Sequence, residues 1–222
     1  MKIIAISDTH TRHRDLVLPE GDVLIHSGDF MGSGREAMDI IDFASWMRGQ
    51  TQFEHKIVVA GNHERMFEDE HHFAVDLLTN DTGITYLENS STIIDGVKFY
   101  GSPYTPAFCG WAFQLNSREE AVKNWNLIPK DTDVLITHGP AYGMLDQILH
   151  PVSDSYDKSH LGCKDLHNKI DELNPKVHIF GHIHSSQGVL DGYGEVTTHI
   201  NAACLGEGYE FSNNNNYIEW EI

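Results

Sequence analysis

The chain has 222 residues, of which 40% are hydrophobic and 22% charged. That is ordinary globular usage for one domain, and it excludes a disordered chain, a collagen, a coiled coil and a small disulfide scaffold. Lys and Arg number 15 against 33 Asp and Glu, a net charge of −18 that repels polyanions and argues against binding a long nucleic-acid backbone.

The first element is an apolar run over residues 2–6, which leads straight into Ser7-Asp8-Thr9-His10. It is far too short for a signal-peptide core, so we expect the fold to begin at residue 1. Further short apolar runs over 22–25, 56–60, 97–100, 133–137 and 176–180 read as buried strands from their length and β-branched content. Between them the spacing predicts four helices. One covers 35–48, with Gly49 as its cap, and another covers 66–78. Ser117-Arg118-Glu119-Glu120 is a capping-box pattern opening a third, which runs to about residue 127 before Pro129. The fourth covers 160–173 and stops at Pro175. Residues 84–100 and 187–222 read as strands and turns without helices, and Asn213–Asn216 as an exposed turn between two terminal strands. No repeat or linker interrupts the pattern, so a single domain over 1–222 is expected.

The three cysteines, Cys109, Cys163 and Cys204, are far apart and make no C-x-x-C pair. They read as reduced, mostly buried thiols of a cytoplasmic protein. No run approaches the length of a membrane span.

Five polar clusters directly follow predicted strands: Asp8-Thr9-His10, Gly28-Asp29, Gly61-Asn62-His63-Glu64, His138-Gly139 and Gly181-His182-Ile183-His184. In open α/β sheets, ligands bind beyond the carboxyl ends of strands, so five strands can deliver these clusters to one place. A set of Asp, Asn and His suits a transition-metal ion, and the chain is rich in histidine, with 15. The adjoining glycines let the backbone turn sharply and approach a ligand closely.

The ordered set D-x-H, G-D, G-N-H-E, H-G and G-H-x-H resembles the calcineurin-like metallophosphoesterase superfamily. The stretches Tyr100–Pro106, Trp125–Pro129, Thr137–Pro140, Pro175–Gly181 and Ile200–Ala202 resemble its animal metallophosphoesterase-domain-containing branch. The resemblance implies an α/β fold, an αββα sandwich of two mixed β-sheets flanked by helices. It also implies a class III cyclic-nucleotide-phosphodiesterase-like activity of broad phosphodiester specificity. Some animal members of the branch carry Gly where this chain has His182, so here the second metal site is expected to be complete.

By the same resemblance, Asp8, His10, Asp29 and His184 hold a first divalent ion, and Asp29, Asn62, His138 and His182 a second. Asp29 bridges the two, an anion shared between cations, and a hydroxide formed from bound water attacks phosphorus in line. Mn²⁺ is the first expectation, with Fe, Zn²⁺, Ni²⁺ and Co²⁺ as alternatives that the donor set also accepts. His63 is expected to face the substrate and protonate or stabilise the leaving oxygen. The partner is then a small phosphodiester, with no membrane and no long nucleic acid. A phosphomonoesterase or protein phosphatase on the same site, and a scaffold that has lost catalysis, stand as alternatives.

Other residues keep two readings. Glu64 orients a histidine or caps the following helix. Arg65 grips a phosphate or pairs with Glu64 or Glu68. Tyr104, Phe108, Trp111 and Phe113, on the loop 103–113, stack a base or pack the loop onto the sheet. His26 packs or hydrogen-bonds within its strand. His71 and His72 lie on a solvated helix face, and His13, His55, His150, His160, His167, His178 and His199 lack partners at ligand spacing.

Overall fold

The computed structural model describes residues 1–148, 160–192, 196–211 and 216–222. In chain order these form β1 (Lys2–Ile6), β2 (Val23–His26), α1 (Ala37–Gly49), β3 (His55–Val58), α2 (Arg65–Asp69), α3 (His71–Thr79) and β4 (Ile84–Tyr86). There follow β5 (Ser90–Ile94), β6 (Val97–Ser102), β7 (Thr105–Pro106), β8 (Gln114–Leu115), α4 (Arg118–Trp125) and β9 (Val134–Thr137). The chain closes with α5 (Lys164–Leu173), β10 (Val177–Phe180), β11 (Gly188–Leu190), β12 (Thr198–Asn201) and β13 (Ile218–Glu221).

Two mixed sheets carry the structure, in the orders β13-β1-β2-β3-β4 and β11-β12-β10-β9-β6-β5, and β7 and β8 form a separate small pair. The neighbours β1, β2, β3 and β4 run parallel, as do β6, β9, β10 and β12. The antiparallel pairs β1/β13, β5/β6 and β11/β12 lie toward the outer edges.

The layering follows from the period-2 alternation of side chains along each strand. Ile3 and Ala5 of β1 face the space between the sheets, where they meet Ile25, Ile57, Val134, Ile179 and Ile200. Ile4 and Ile6 face the other way, into a core with Phe43, Met47, Phe67 and Leu78 of the first helical layer. On the far side, Tyr100 and Leu135 pack against Trp125 of α4 and Leu166 and Ile170 of α5. Helix, sheet, sheet and helix form four layers, the expected αββα sandwich. Because the central strands are covered on both faces, they read as continuous apolar runs.

The helices differ from the sequence expectation in several places. Helix α1 starts at Ala37 and includes Gly49, so Gln50, not Gly49, is its C-cap. Glu70, with φ −133°, divides the expected helix 66–78 into α2 and α3. The break lets Met66 and Phe67 from one piece and Ala74 and Leu78 from the other all reach the core. Helix α5 begins at Lys164, not 160. The residues ahead of it are held by Asp146, whose carboxylate binds His160 Nδ1 at 2.6 Å and accepts from Gly162 N at 3.0 Å. Ser117 caps α4 as predicted, accepting from Glu120 N at 3.2 Å, but the Glu120 carboxylate returns to Asn116 N rather than to the cap's own N–H. The expected asparagine turn, apart from Asn216, and His150 lie outside the described residues.

Parallel pairing within each sheet brings the carboxyl ends of β1, β2 and β3 to one edge, and those of β9 and β10 to the edge beside it. A parallel bridge between Ser7 and Ala203, with Cys204 N donating to Ser7 O at 2.8 Å, joins the two sheets there.

Candidate metal centre

All five motifs arrive at this joined edge. Asp8 and His10 follow β1, Asp29 follows β2, Asn62 and His63 follow β3, His138 follows β9, and His182 and His184 follow β10. The backbone there is unusual. Asp8, His10, Asp29 and His182 have φ of 53°, 40°, 57° and 68°, a left-handed region that residues with side chains seldom enter. Such conformations persist where the surroundings over-determine them, and they gather at functional sites. Two glycines make room: a Cβ on Gly61 would strike Asp29 Oδ1, and one on Gly181 would strike Asp8 Oδ2.

The side chains converge in two adjoining groups. Ligand atoms of Asp8, His10 and His184 lie within 4.8 Å of one another, and so do those of Asp29, His138 and His182. Asn62 Oδ1 joins the second group, 2.9 Å from His138 Nε2. Asp29 reaches toward both, its Oδ2 lying 3.3 Å from His138 Nε2 and 4.0 Å from His10 Nε2. His63 forms a third grouping with His10 and Asp29, so proximity alone does not separate it from the ligands. No such grouping occurs elsewhere among the described residues.

Hydrogen bonding shows what these groups lack. His138 Nδ1 faces Ser27 O at 3.0 Å, His184 Nδ1 faces Gly206 O at 3.1 Å and His10 Nδ1 faces Met31 O at 3.3 Å. A carbonyl only accepts, so each Nδ1 carries a proton and each ring turns its Nε2 inward, where it can hold a proton or a metal ion. Nε2 of His10 then faces Nε2 of His184 at 3.3 Å, and Nε2 of His138 faces the Asn62 and Asp29 oxygens. Asp8 Oδ1 is buried and accepts no hydrogen bond, with His184 Nε2 3.4 Å away. Carboxylate oxygens and inward Nε2 atoms packed together in a buried site call for positive charge between them, as protons or as metal ions.

Proton affinities say the same. Burial pulls the His138 pKa down, yet Asp29 outweighs it and the value rises to about 9. His184 rises to about 9 as well, because Asp8 outweighs its burial. Burial pushes Asp8 and Asp29 up, but His184 and His138 respectively hold both below the ordinary carboxylate range. His182 is uncharged at neutral pH: burial and the charge of His138 pull its pKa down to about 4. The donor set, the orphaned oxygen and the glycine-lined approach all fit divalent cations.

Two buried residues pin the ligand loops. His26 Nδ1 accepts from Gly28 N at 3.2 Å, so its Nε2–H donates to Thr9 Oγ1 at 2.9 Å, tying the D-x-H loop to the G-D loop. Burial lowers its pKa to about 3 and keeps it neutral. Glu64 performs neither expected role. Its carboxylate accepts from Asp29 N at 2.7 Å, Met31 N at 2.9 Å and Gly61 N at 2.5 Å, and so joins the G-D loop to the G-N-H-E loop. Burial, then the charge of Asp29, raises its pKa to about 8.

Arg65 does not reach toward a phosphate. It pairs with Glu68 at 2.6 Å and donates to Gly110 O. Its partner Glu68 accepts from Phe113 N at 3.0 Å, so the two together fasten the aromatic loop. Trp111 of that loop lies flat on His63, centroids 4.2 Å apart at 21°. Cys109, on the same loop, is exposed, whereas Cys163 and Cys204 are buried; a left-handed φ of 51° places it at the turn. Two residues near the ligands had no sequence signal. Tyr209 sits edge-on to His10 and His184, at 4.8 and 5.4 Å, and Glu207 lines the same cleft. Both belong to the loop after β12, which carries no metal-ligand motif, and only the fold brings them here.

The family model for calcineurin-like phosphoesterases matches residues 1–186. The chain belongs to the calcineurin-like phosphoesterase family. It is 36% identical to metallophosphoesterase domain-containing protein 1 of Homo sapiens, over 94% of this chain and 68% of that protein. UPF0046 protein K07C11.7 of Caenorhabditis elegans is 39% identical, over 94% of this chain and 71% of that one. Among solved structures, TT1561 of Thermus thermophilus shares the fold. It has a TM-score of 0.56 and 12% identity, over 91% of this chain and 88% of that one. Family membership makes this calcineurin-like chain a metal-dependent phosphoester hydrolase by class. Among the described residues no helix is long and apolar enough to cross a membrane.

Proposed function

We propose that the protein hydrolyses small phosphodiesters, cyclic nucleotides among them, with two divalent ions held by Asp8, His10, Asp29, Asn62, His138, His182 and His184. Mn²⁺ is the first metal to test. When bound, such a pair neutralises negative charge on the phosphoryl group and generates a nucleophile from water near neutral pH. Asp29 would be the ligand shared between them, because its carboxylate reaches toward both ligand groups. Asn62 donates a neutral oxygen and adds no further negative charge. His63 is left for the substrate. Its Nδ1–H is committed to Gly32 O at 2.6 Å, so Nε2 is the ring atom free to hold a proton for the leaving oxygen.

The observation that carries the diester preference is the wall of the cleft. Beside Asn62, His63, His182 and His184 opens a cavity of about 450 Å³ whose wall includes Pro106, Ala107, Phe108, Trp111 and Leu161. No Lys or Arg is among its described lining residues, and Glu207 adds a carboxylate. A monoester dianion needs extra positive charge for its second anionic oxygen. A diester carries one charge and a second organic arm, which needs apolar room; the exposed face of Phe108 suits a planar base. Residues 1–222 are read as one catalytic domain, supported by the pairing of β13 beside β1. Three free thiols support work in the reducing cytoplasm.

Steady-state hydrolysis with added Mn²⁺ tests this, comparing bis-4-nitrophenyl phosphate, 4-nitrophenyl phosphate and 2′,3′- and 3′,5′-cyclic nucleotides. Higher kcat/KM on the diesters is expected. A monoester turned over faster than every diester overturns the reading.

A further inference from the structure

His63 is held on three sides. Its Nδ1 meets Gly32 O at 2.6 Å, and its backbone N–H donates to Asp29 Oδ1 at 2.8 Å. The His10 ring meets it edge-on at 4.6 Å and 77°. The Trp111 indole covers a face at 4.2 Å and 21°. A single hydrogen bond leaves an imidazole free to pivot, because the terminal torsion of histidine is broad. A flat aromatic contact removes that freedom.

The loop that supplies the indole is fastened to the segment that carries the imidazole. Ala112 N donates to Asn62 O at 3.1 Å and Phe113 N to Glu68 Oε1 at 3.0 Å. Arg65 spans the gap, paired with Glu68 and donating to Gly110 O. Asn62, Arg65 and Glu68 thus hold the loop at both sides of Trp111. Cys109, Gly110 and Phe113 all adopt positive φ, of 51°, 66° and 53°, so the chain turns sharply on each side of the indole to keep it there. An indole that served only to cover the sheet would not need these ties.

We propose that Trp111 is a positioning residue for His63, holding the imidazole so that Nε2 meets the leaving oxygen. The inference rests on the reading of His63 as proton donor. Aromatic pairs of this geometry favour the stacked arrangement by roughly three- to tenfold over an unpaired ring. A leaving group that departs as a stable anion depends little on the donor; a basic alkoxide depends on it fully.

Two measurements test the proposal on the full chain. In the metal-free protein, the His63 ring protons should appear upfield of ordinary histidine by NMR, because they lie over the indole. Trp111→Leu should abolish that shift and Trp111→Phe should retain part of it. In the Mn²⁺-loaded protein, the ratio of kcat on 4-nitrophenyl methyl phosphate to kcat on dimethyl phosphate should rise about three- to tenfold in Trp111→Leu and return toward wild type in Trp111→Phe. Unshifted His63 protons in the wild type, or an equal loss on both esters, overturns the positioning role. If the wild type prefers monoesters, the diester reading fails by itself. The same comparison on 4-nitrophenyl and methyl phosphate then decides the role of Trp111.

Discussion

Two groups of buried histidines lie a few residues apart and are built on opposite principles. Behind β10, His178 Nε2 meets Thr137 Oγ1 at 2.8 Å, and the Thr137 hydroxyl donates to Gly139 O at 2.6 Å. That hydroxyl oxygen therefore accepts from Nε2–H, and His178 Nδ1 accepts from His199 Nδ1–H at 3.2 Å. Each proton in this chain has an acceptor, and both rings are neutral. In the cleft the order is reversed. His10, His138 and His184 spend their Nδ1 protons on backbone carbonyls and aim Nε2 at carboxylates and at each other. A closed network specifies packing; an open one specifies a cation. Histidine content alone cannot distinguish them, but the direction of each hydrogen bond does.

The sharpest way to break this contrast is at Asp29. Asp29→Ala removes the carboxylate between the two groups, and diester hydrolysis should fall to background while bound metal drops below one equivalent by elemental analysis. Two equivalents retained would refute the bridging role. His63→Ala should lower kcat by roughly 10²–10⁴ with metal content unchanged, read on a poor leaving group; wild-type turnover there removes His63 from the mechanism. Chelation comes next. Ions at about 100 times Kd stabilise by about 2.7 kcal/mol, and a chain of this length shifts about 2–4 °C per kcal/mol. Excess chelator should therefore lower the melting temperature by roughly 5–10 °C. The same treatment of Asp29→Ala should change little, and a wild-type melting curve that ignores chelator would count against a bound pair.

The convergence of the candidate site was legible because it obeys a local rule: each of the five motifs directly follows a buried strand, and parallel strands end together. The buried strands were legible for a related reason, since strands covered on both faces lose their alternation, whereas the αββα layering was expected from the family resemblance and not from the strand pattern. What escaped were contacts that no local pattern encodes. Tyr209 and Glu207 arrive from the loop after β12, whose sequence holds none of the five ligand motifs. Glu64 looked like a helix cap because it precedes α2, yet its carboxylate turns back to three amides from two different loops. Of the two readings of Arg65, the pairing with Glu68 one turn on is the one found, and only its tie to Gly110, 45 residues away, left no local trace. The helix expected from 160 starts at 164 because Asp146, distant in sequence, holds the residues before it. At Glu64 and at the start of α5 a long-range polar partner overrode a sound short-range expectation.

The closed network gives the smallest and most selective prediction. Burial, then the neighbouring His199, holds His178 well below its ordinary value of 6.5. Burial, with a smaller push from His167, lowers His199 to about 4. A histidine whose folded pKa is depressed contributes its stability in full above pH 6.5. It loses that stability as pH falls from 6.5 toward the folded value, because the unfolded chain takes up the proton first. At pH 6 the loss is about 0.8 kcal/mol for each such histidine. His26, His182, His10 and His13 are also depressed and act in the same direction, so the wild-type slope alone assigns nothing. The double variant His178→Leu/His199→Leu removes both partners of one hydrogen bond together and leaves those four in place. Its stability, measured by urea unfolding of the chelated protein, should fall less steeply between pH 6.5 and 4 than that of the wild type. His138 and His184, raised to about 9, contribute a loss only as pH rises above 6.5, outside this window. Parallel pH profiles for the two proteins would mean that the core pair is protonated in the folded state, and that the contrast between closed and open networks does not hold.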